Sequence, residues 1–191
     1  MASIFAKPSI SFAKGFITTT RLYFRTWQTD DIDLAMDLWG DPEVTRFIVA
    51  KGKMSEKEVR ERLIQEMANQ EKHSVQYWPC FLSSDDTFVG CCGIRPYDPS
   101  TNMYEIGFHL IPRYWGRGLA VEAARGVMAY AFKDLSVAGL FAGHHPGNIV
   151  SPHVLKKLGF QYTHDELYAP TGLKHPSYRI NRETYLQLTQ K

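Results

Sequence analysis

The stretch Met103–Ala120 constrains this chain most. Met103–Ile111 reads as a strand and is followed by Pro112-Arg113-Tyr114-Trp115-Gly116-Arg117-Gly118. A long helix then runs from about Gly116 to Leu135, with Val121, Ala124, Met128, Ala131 and Leu135 on one face. The first amides of a helix have no partner inside it and lie at the positive end of its dipole. Two glycines let a bulky group approach the backbone, and Arg113 and Arg117 add positive charge. A phosphate or diphosphate is the ligand this loop favours. It is not a Walker loop, because no Gly-Lys-Ser/Thr follows. It also fails the dinucleotide fingerprint, since Val121 stands at the third glycine position. A plain strand-to-helix turn that needs glycine only for its geometry is the competing account.

The elements around the loop alternate. Arg21–Thr26 has the two-residue period of a half-buried strand, and a helix carries Ile32, Ala35, Met36 and Trp39 on one face before Gly40-Asp41-Pro42. Ser55 and Glu58 form a capping box for a helix through Val59, Leu63 and Met67. Val75–Leu82, Thr87–Ile94 and Met103–Ile111 read as an antiparallel meander, turned at Ser83–Asp86 and at Pro96–Asn102. Ala138–Gly143 is a short apolar strand, and a helix through Val154–Leu158 stops at Gly159. Strands around Phe160–Tyr168 and Ser177–Asn181 close a mixed α/β layer structure.

Composition narrows the class. A chain of 191 residues with 44% hydrophobic and 22% charged residues can bury about 70% of its unfolded surface in one core. Twenty-two basic against twenty acidic residues gives a net charge of +2, without the basic stripe that nucleic acid requires. No apolar run approaches the ~20 residues of a membrane span. Cys80, Cys91 and Cys92 form an odd set in apolar surroundings and read as buried free thiols of a reducing compartment. No spaced Cys/His set suggests a metal. Residues 1–29 contain no acidic side chain and carry Lys7, Lys14, Arg21 and Arg25, a composition shared with organellar import segments. A short extension over residues 1–19, ahead of one domain at 20–191 in the cytoplasm, is the favoured account. Either a monomer or a homodimer fits.

A second segment sharpens the chemistry. After the strand Ala138–Gly143 comes His145-Pro146-Gly147-Asn148-Ile149-Val150-Ser151-Pro152, then Leu158-Gly159-Phe160. Arg113-x-x-Gly116-x-Gly118, Asn148-x-x-Ser151 and Leu158-Gly159-Phe160, in that order, resemble the GNAT superfamily of acyl-CoA-dependent N-acetyltransferases. Thr20–Arg25 with Asp41-Pro42-Glu43-Val44-Thr45 is similar to the branch that acetylates ribosomal-protein N-termini. The resemblance covers about residues 20–182. It implies an α+β fold whose mostly antiparallel sheet, with helices on both faces, parts between its fourth strand (Met103–Ile111) and its fifth (Ala138–Gly143). It further implies that acetyl-CoA, as co-substrate and with no metal, gives its acetyl to an amine in a ternary complex. The pantetheine arm is then expected along the fourth strand at Phe108, His109 and Leu110, and beside Asn148. The diphosphate is expected at Arg113 and on the amides of Tyr114, Gly116, Arg117, Gly118, Leu119 and Ala120.

Proton handling is the remaining requirement. An α-amine near pKa 8 is about one-tenth neutral at pH 7, and a lysine near 10.4 far less, so a base matters. Glu105 matches the fourth-strand glutamate that serves as base in the histone-acetylating branch. An ion pair with an arginine on a neighbouring element is its other reading. His109 and then His144 follow as weaker bases. Ser151 corresponds to a proposed donor to the leaving thiolate, and Ser151-Pro152 equally suits a helix start. Leu155 stands where many relatives have a tyrosine, and Gly143 where some have a glutamate. Trp27, Trp39, Tyr77 and Trp78 read as core. Lys156 and Lys157 read as a solvated helix face. Arg46, Tyr97, Tyr168 and His175 lie on segments that flank the acceptor cleft in relatives. A non-catalytic acyl-CoA-binding module is the alternative function, and a generic phosphate-binding domain a more distant one.

Overall fold

The computed structural model describes residues 15–190. An eight-stranded sheet in the order β1-β2-β3-β4-β5-β6-β8-β7 forms its frame. The strands are β1 (Ile17–Thr18), β2 (Leu22–Phe24), β3 (Tyr77–Leu82), β4 (Phe88–Asp98), β5 (Met103–Leu110), β6 (Gly139–Gly143), β7 (Gln161–Tyr168) and β8 (Leu173–Asn181). The helices are α1 (Ile32–Trp39), α2 (Pro42–Thr45), α3 (Glu56–His73), α4 (Leu119–Lys133), α5 (Ser151–Lys157) and α6 (Arg182–Thr189). The mixed fold and the meander are those the sequence implies. Because of the short β1, the strands expected to part are β5 and β6.

Alternation along β3 explains the layering. Tyr77 and Trp78 are adjacent and point to opposite faces. Tyr77 meets α3, where its amide donates to Glu66 Oε2 at 2.7 Å, and Trp78 packs edge-on against Tyr130 of α4 at 5.7 Å. Both faces of β3 and β4 are therefore covered, and these two strands are buried over most of their length. The capping box forms as expected: Ser55 accepts from the Glu58 amide, and Glu58 accepts from that of Ser55. Gly159 takes the left-handed conformation (φ +86°) that ends α5.

Several boundaries differ from the sequence reading. The sheet reaches back to Ile17, within the segment assigned to the extension, and residues 1–14 lie outside the described part. β4 runs through the expected turn to Asp98 with an irregularity between Pro96 and Asp98, because the chain keeps pairing with β5. Only Pro99–Thr101 and a left-handed Asn102 (φ +53°) make the reversal. β8 begins four residues before Ser177, and it continues into α6. Asn181 caps α6 through the Thr184 amide at 2.8 Å, and Tyr185 stacks on Phe132 at 4.5 Å.

One buried charge pair ties α3 to the sheet. Glu66 is 2% exposed and accepts from Arg62 Nε at 2.8 Å as well as from the Tyr77 amide. Removing the carboxylate leaves a guanidinium and an amide unpaired in the interior, which costs about 3–5 kcal/mol. Urea unfolding of Glu66→Ala is expected to show a loss of that order, whereas Glu61→Ala, on the exposed face of α3, should change stability by less than about 0.5 kcal/mol.

Candidate active site

β5 and β6 form the sheet's one parallel pairing, and it is short. Met103, Tyr104 and Glu105 face Gly139, Leu140 and Phe141, and beyond Glu105 the two strands separate. On its other side β5 stays paired with β4 as far as Leu110. The β6-facing backbone edge of Ile106–Leu110 is thus left without a strand partner. A cavity of about 570 Å³ opens at this divergence. Glu105, Phe108 and His109 of β5, Asn148, and Ser151 of α5 all line it.

Past the open edge the chain enters the glycine loop. The amides of Tyr114 and Trp115 are used in a tight turn, donating to the carbonyls of Ile111 and Pro112 at 3.0 Å. The expected cradle is therefore shorter than Tyr114–Ala120. From Gly116 into the first turn of α4 the amides have no backbone partner among the described residues. Gly116 (φ +72°) and Gly118 (φ +75°) are both left-handed, so glycine is needed here for conformation. A side chain at 116 would meet nothing within 4 Å. Arg113 and Arg117 lie over the Tyr114 ring, with Cζ 5.0 and 5.6 Å from its centre. Arg21 braces the loop: Nη1 donates to the Arg117 carbonyl at 3.1 Å, and Nε pairs with Glu122 at 2.6 Å.

The other end of the cavity carries the titratable groups. Arg95 and Glu105 face each other across β4 and β5, with Nε 2.7 Å from Oε2. Both sequence readings of Glu105 therefore meet in one side chain, which is ion-paired and also lines the cavity. Tyr77 lies flat across β5 over Gly107, where a Cβ would come 2.4 Å from its ring. Arg62 and Arg95 stand over that ring at 5.5 and 5.3 Å. Burial pushes the Tyr77 phenol well above its ordinary range. Tyr77 is thus both core, as expected, and cavity wall.

The surroundings of His109 disfavour its protonated form. Its Nδ1 accepts from Trp39 Nε1 at 3.2 Å, which puts the ring proton on Nε2. Burial, reinforced by the Arg62 and Arg95 charges, lowers its pKa to about 3. His144 is held in the opposite tautomer, with Nδ1 2.9 Å from the His145 carbonyl, and its buried Nε2 has no partner among the described residues.

Ser151 is not the helix cap. Asn148 Oδ1 accepts from the amides of Val150 (3.2 Å) and Ser151 (3.1 Å) in the turn that leads into α5, whose N-cap is Val150. Ser151 and Asn148 both line the cavity. Leu155 lines the cavity where a tyrosine was absent. Tyr97, Tyr168 and His175 line it too, whereas Arg46 turns away to pair with Glu43 at 3.3 Å and cover Phe47. Lys156 and Lys157 are exposed. Phe47, Arg62, Arg95 and Ser177 went unnoticed in the sequence. Only the two-residue period linking Arg95 to Tyr97 and Ser177 to His175 hinted at a shared face.

The model of the acetyltransferase (GNAT) domain matches residues 21–161. The chain belongs to the GNAT acetyltransferase family. It is accordingly an acetyl-CoA-dependent acyltransferase. It is 27% identical over 150 residues to the uncharacterized N-acetyltransferase p20 of Bacillus licheniformis, covering 75% of this chain and 80% of that one. It is 30% identical over 153 residues to the uncharacterized protein YkkB of Bacillus subtilis, covering 79% and 88%. Among solved structures, RimL, a ribosomal L7/L12 α-N-protein acetyltransferase in complex with coenzyme A, has the same fold. The TM-score is 0.73 at 13% identity, over 85% of this chain and 95% of that one. No helix among the described residues is long and apolar enough to cross a membrane.

The environment of His109 fixes a pH response. An unfolded chain protonates an imidazole near pH 6.5, whereas the folded one resists until about pH 3. The stability contributed by the neutral ring is complete above pH 6.5 and is lost progressively as pH falls through that window. Denaturant unfolding at pH 7 and pH 5 is expected to show about 1–2 kcal/mol less acid loss in His109→Gln than in the native chain.

Proposed function

We propose that the enzyme transfers the acetyl group of acetyl-CoA to a primary amine by direct attack within a ternary complex. The observation carrying this reading is the parting of β5 and β6 after Glu105 and Phe141, next to helix-start amides that from Gly116 onward have no partner among the described residues. The first feature offers an open strand edge to the amide-rich pantetheine arm. The second offers donors and a positive dipole to a diphosphate. Together they aim a thioester at the residues around Glu105. RimL, which shares the fold, has been solved in complex with coenzyme A.

The chemistry then follows from the lining. Attack of the neutral amine forms the C–N bond and expels the thiolate as the C–S bond breaks. Glu105 has Oε2 engaged by Arg95, which fixes the carboxylate and leaves Oε1 to take the amine's proton directly or through a water. Ser151, which lines the cavity at the start of α5, donates to the leaving sulfur. Cys80, Cys91 and Cys92 are buried, and burial pushes each thiol well above its ordinary pKa. None is suited to act as a covalent nucleophile.

Thiol release from acetyl-CoA, measured across an amine panel, tests the reading. Glu105→Gln is expected to lower kcat by about 100-fold or more while binding coenzyme A within about twofold of the native affinity. Ser151→Ala should lower kcat by about tenfold. Tight coenzyme A binding without release from any amine would overturn the transferase reading in favour of a binding module.

A further inference from the structure

We propose that the acceptor is a compact monoamine with one planar apolar group, rather than a polypeptide terminus or a polyamine. This inference rests on the N-acetyltransferase reading and concerns the acceptor half of the same cavity. Strand alternation puts Glu105, Phe141, Ser177, His175 and Tyr168 on one sheet face, the face that α3 also covers, and Tyr97, at the irregularity in β4, joins them by stacking on Phe141. Facing them from the far bank is Phe47, just after α2.

The two banks are joined by rings. Phe47 stacks on His145 at 5.2 Å, His145 meets His175 edge-on at 5.4 Å, and His175 lies 4.8 Å from Tyr168. Gly147 fits beneath Phe47, where a Cβ would come 3.1 Å from the ring. This row of rings runs from the α2 bank to the β7–β8 hairpin. A peptide terminus drags main chain behind its amine and needs an open channel through such a wall. A compact amine does not.

Size, polarity and charge agree. About 570 Å³ is space for one drug-sized ligand, and the thiol arm claims part of it. Tyr97 and Phe141, stacked at 4.0 Å, offer an aromatic wall. Ser177 is 1% exposed and its hydroxyl has no partner among the described residues, although a buried unsatisfied hydroxyl costs about 1–3 kcal/mol. A ligand polar group in the cavity satisfies it. The charged lining residues are Arg62, Arg95, Glu105 and Glu166, which balance, so nothing there compensates a polycation.

The test compares thiol release from acetyl-CoA with 2-phenylethylamine, spermidine and a tetra-alanine peptide. The expected kcat/KM for 2-phenylethylamine is at least tenfold above both others. Equal or faster release with the peptide or spermidine overturns the inference, as does no release with 2-phenylethylamine. His145→Ala is expected to raise the peptide-to-arylamine ratio of kcat/KM at least fivefold, and an unchanged ratio in a variant that still binds coenzyme A overturns the barrier role. Calorimetric titration with coenzyme A separates the two levels. Failure to bind it sinks the transferase reading itself, whereas binding with the wrong acceptor order sinks only this inference.

Discussion

Three residue pairs hold β5 to β6, and the site depends on their being no more than three. Parallel pairing is satisfied from Met103 to Glu105 and then abandoned, although β5 continues in register with β4 for five further residues. β6 is instead carried away by β8, with which it pairs along its whole length from Gly139 to Gly143. A sheet that remained closed would satisfy more of its own backbone. The divergence leaves donors and acceptors exposed on β5, and a ligand with an amide-bearing chain can pair with them as a strand would. The helix-start amides after Gly116 present the same kind of unmet valence a short distance along the chain. Both ends of one extended ligand can therefore be read from unpaired backbone, with few specialised side chains.

The side chains that are specialised sit on the opposite face and are expensive to bury. Arg62, Glu66, Arg95 and Glu105 form two ion pairs flanking the Tyr77 ring, and this arrangement needs glycine at 107 so that the ring can cross β5. Such pairs add little net stability compared with apolar residues of the same shape. Their effect here is geometric. Each carboxylate is tied to a guanidinium, each guanidinium stands over the same ring, and Glu105 is thereby held at the divergence. His109, held by Trp39 and kept neutral by burial and by the same two arginines, forms part of the cavity wall.

The loop, the order of elements and the strand that parts were legible because each rests on local chemistry: glycine conformation, capping and alternation. Gly116, Gly118 and Gly159 adopt the left-handed conformations that their positions suggest. What stayed hidden depends on pairing across the sheet. Nothing in the order of residues tells that Arg95 stands beside Glu105, that Ser177 shares a face with Phe141, or that Phe47 reaches His145. Asn148 and Ser151 were both marked, but the division between them was not. The asparagine satisfies two amides of the turn into α5, and the serine stands at the first position of that helix. The missed α6 did carry a local signal, since Asn181 precedes an acidic first turn, yet eight residues offer too little periodicity to weigh against a continuing strand.

The sheet itself separates two kinds of recognition. On the α4 side, Phe108 and the glycine loop meet a ligand mainly through backbone, which tolerates sequence change and suits a co-substrate common to a whole family. On the α3 side the cavity is lined by rings and ion-paired side chains from several strands, from α3 and from the loops that carry Phe47 and His145. The gap beyond Glu105 and Phe141 is where the two compartments communicate. On the proposed reading, a thioester delivered through it arrives beside Glu105. Co-substrate and acceptor are thus, on the same reading, recognised from opposite faces of one sheet.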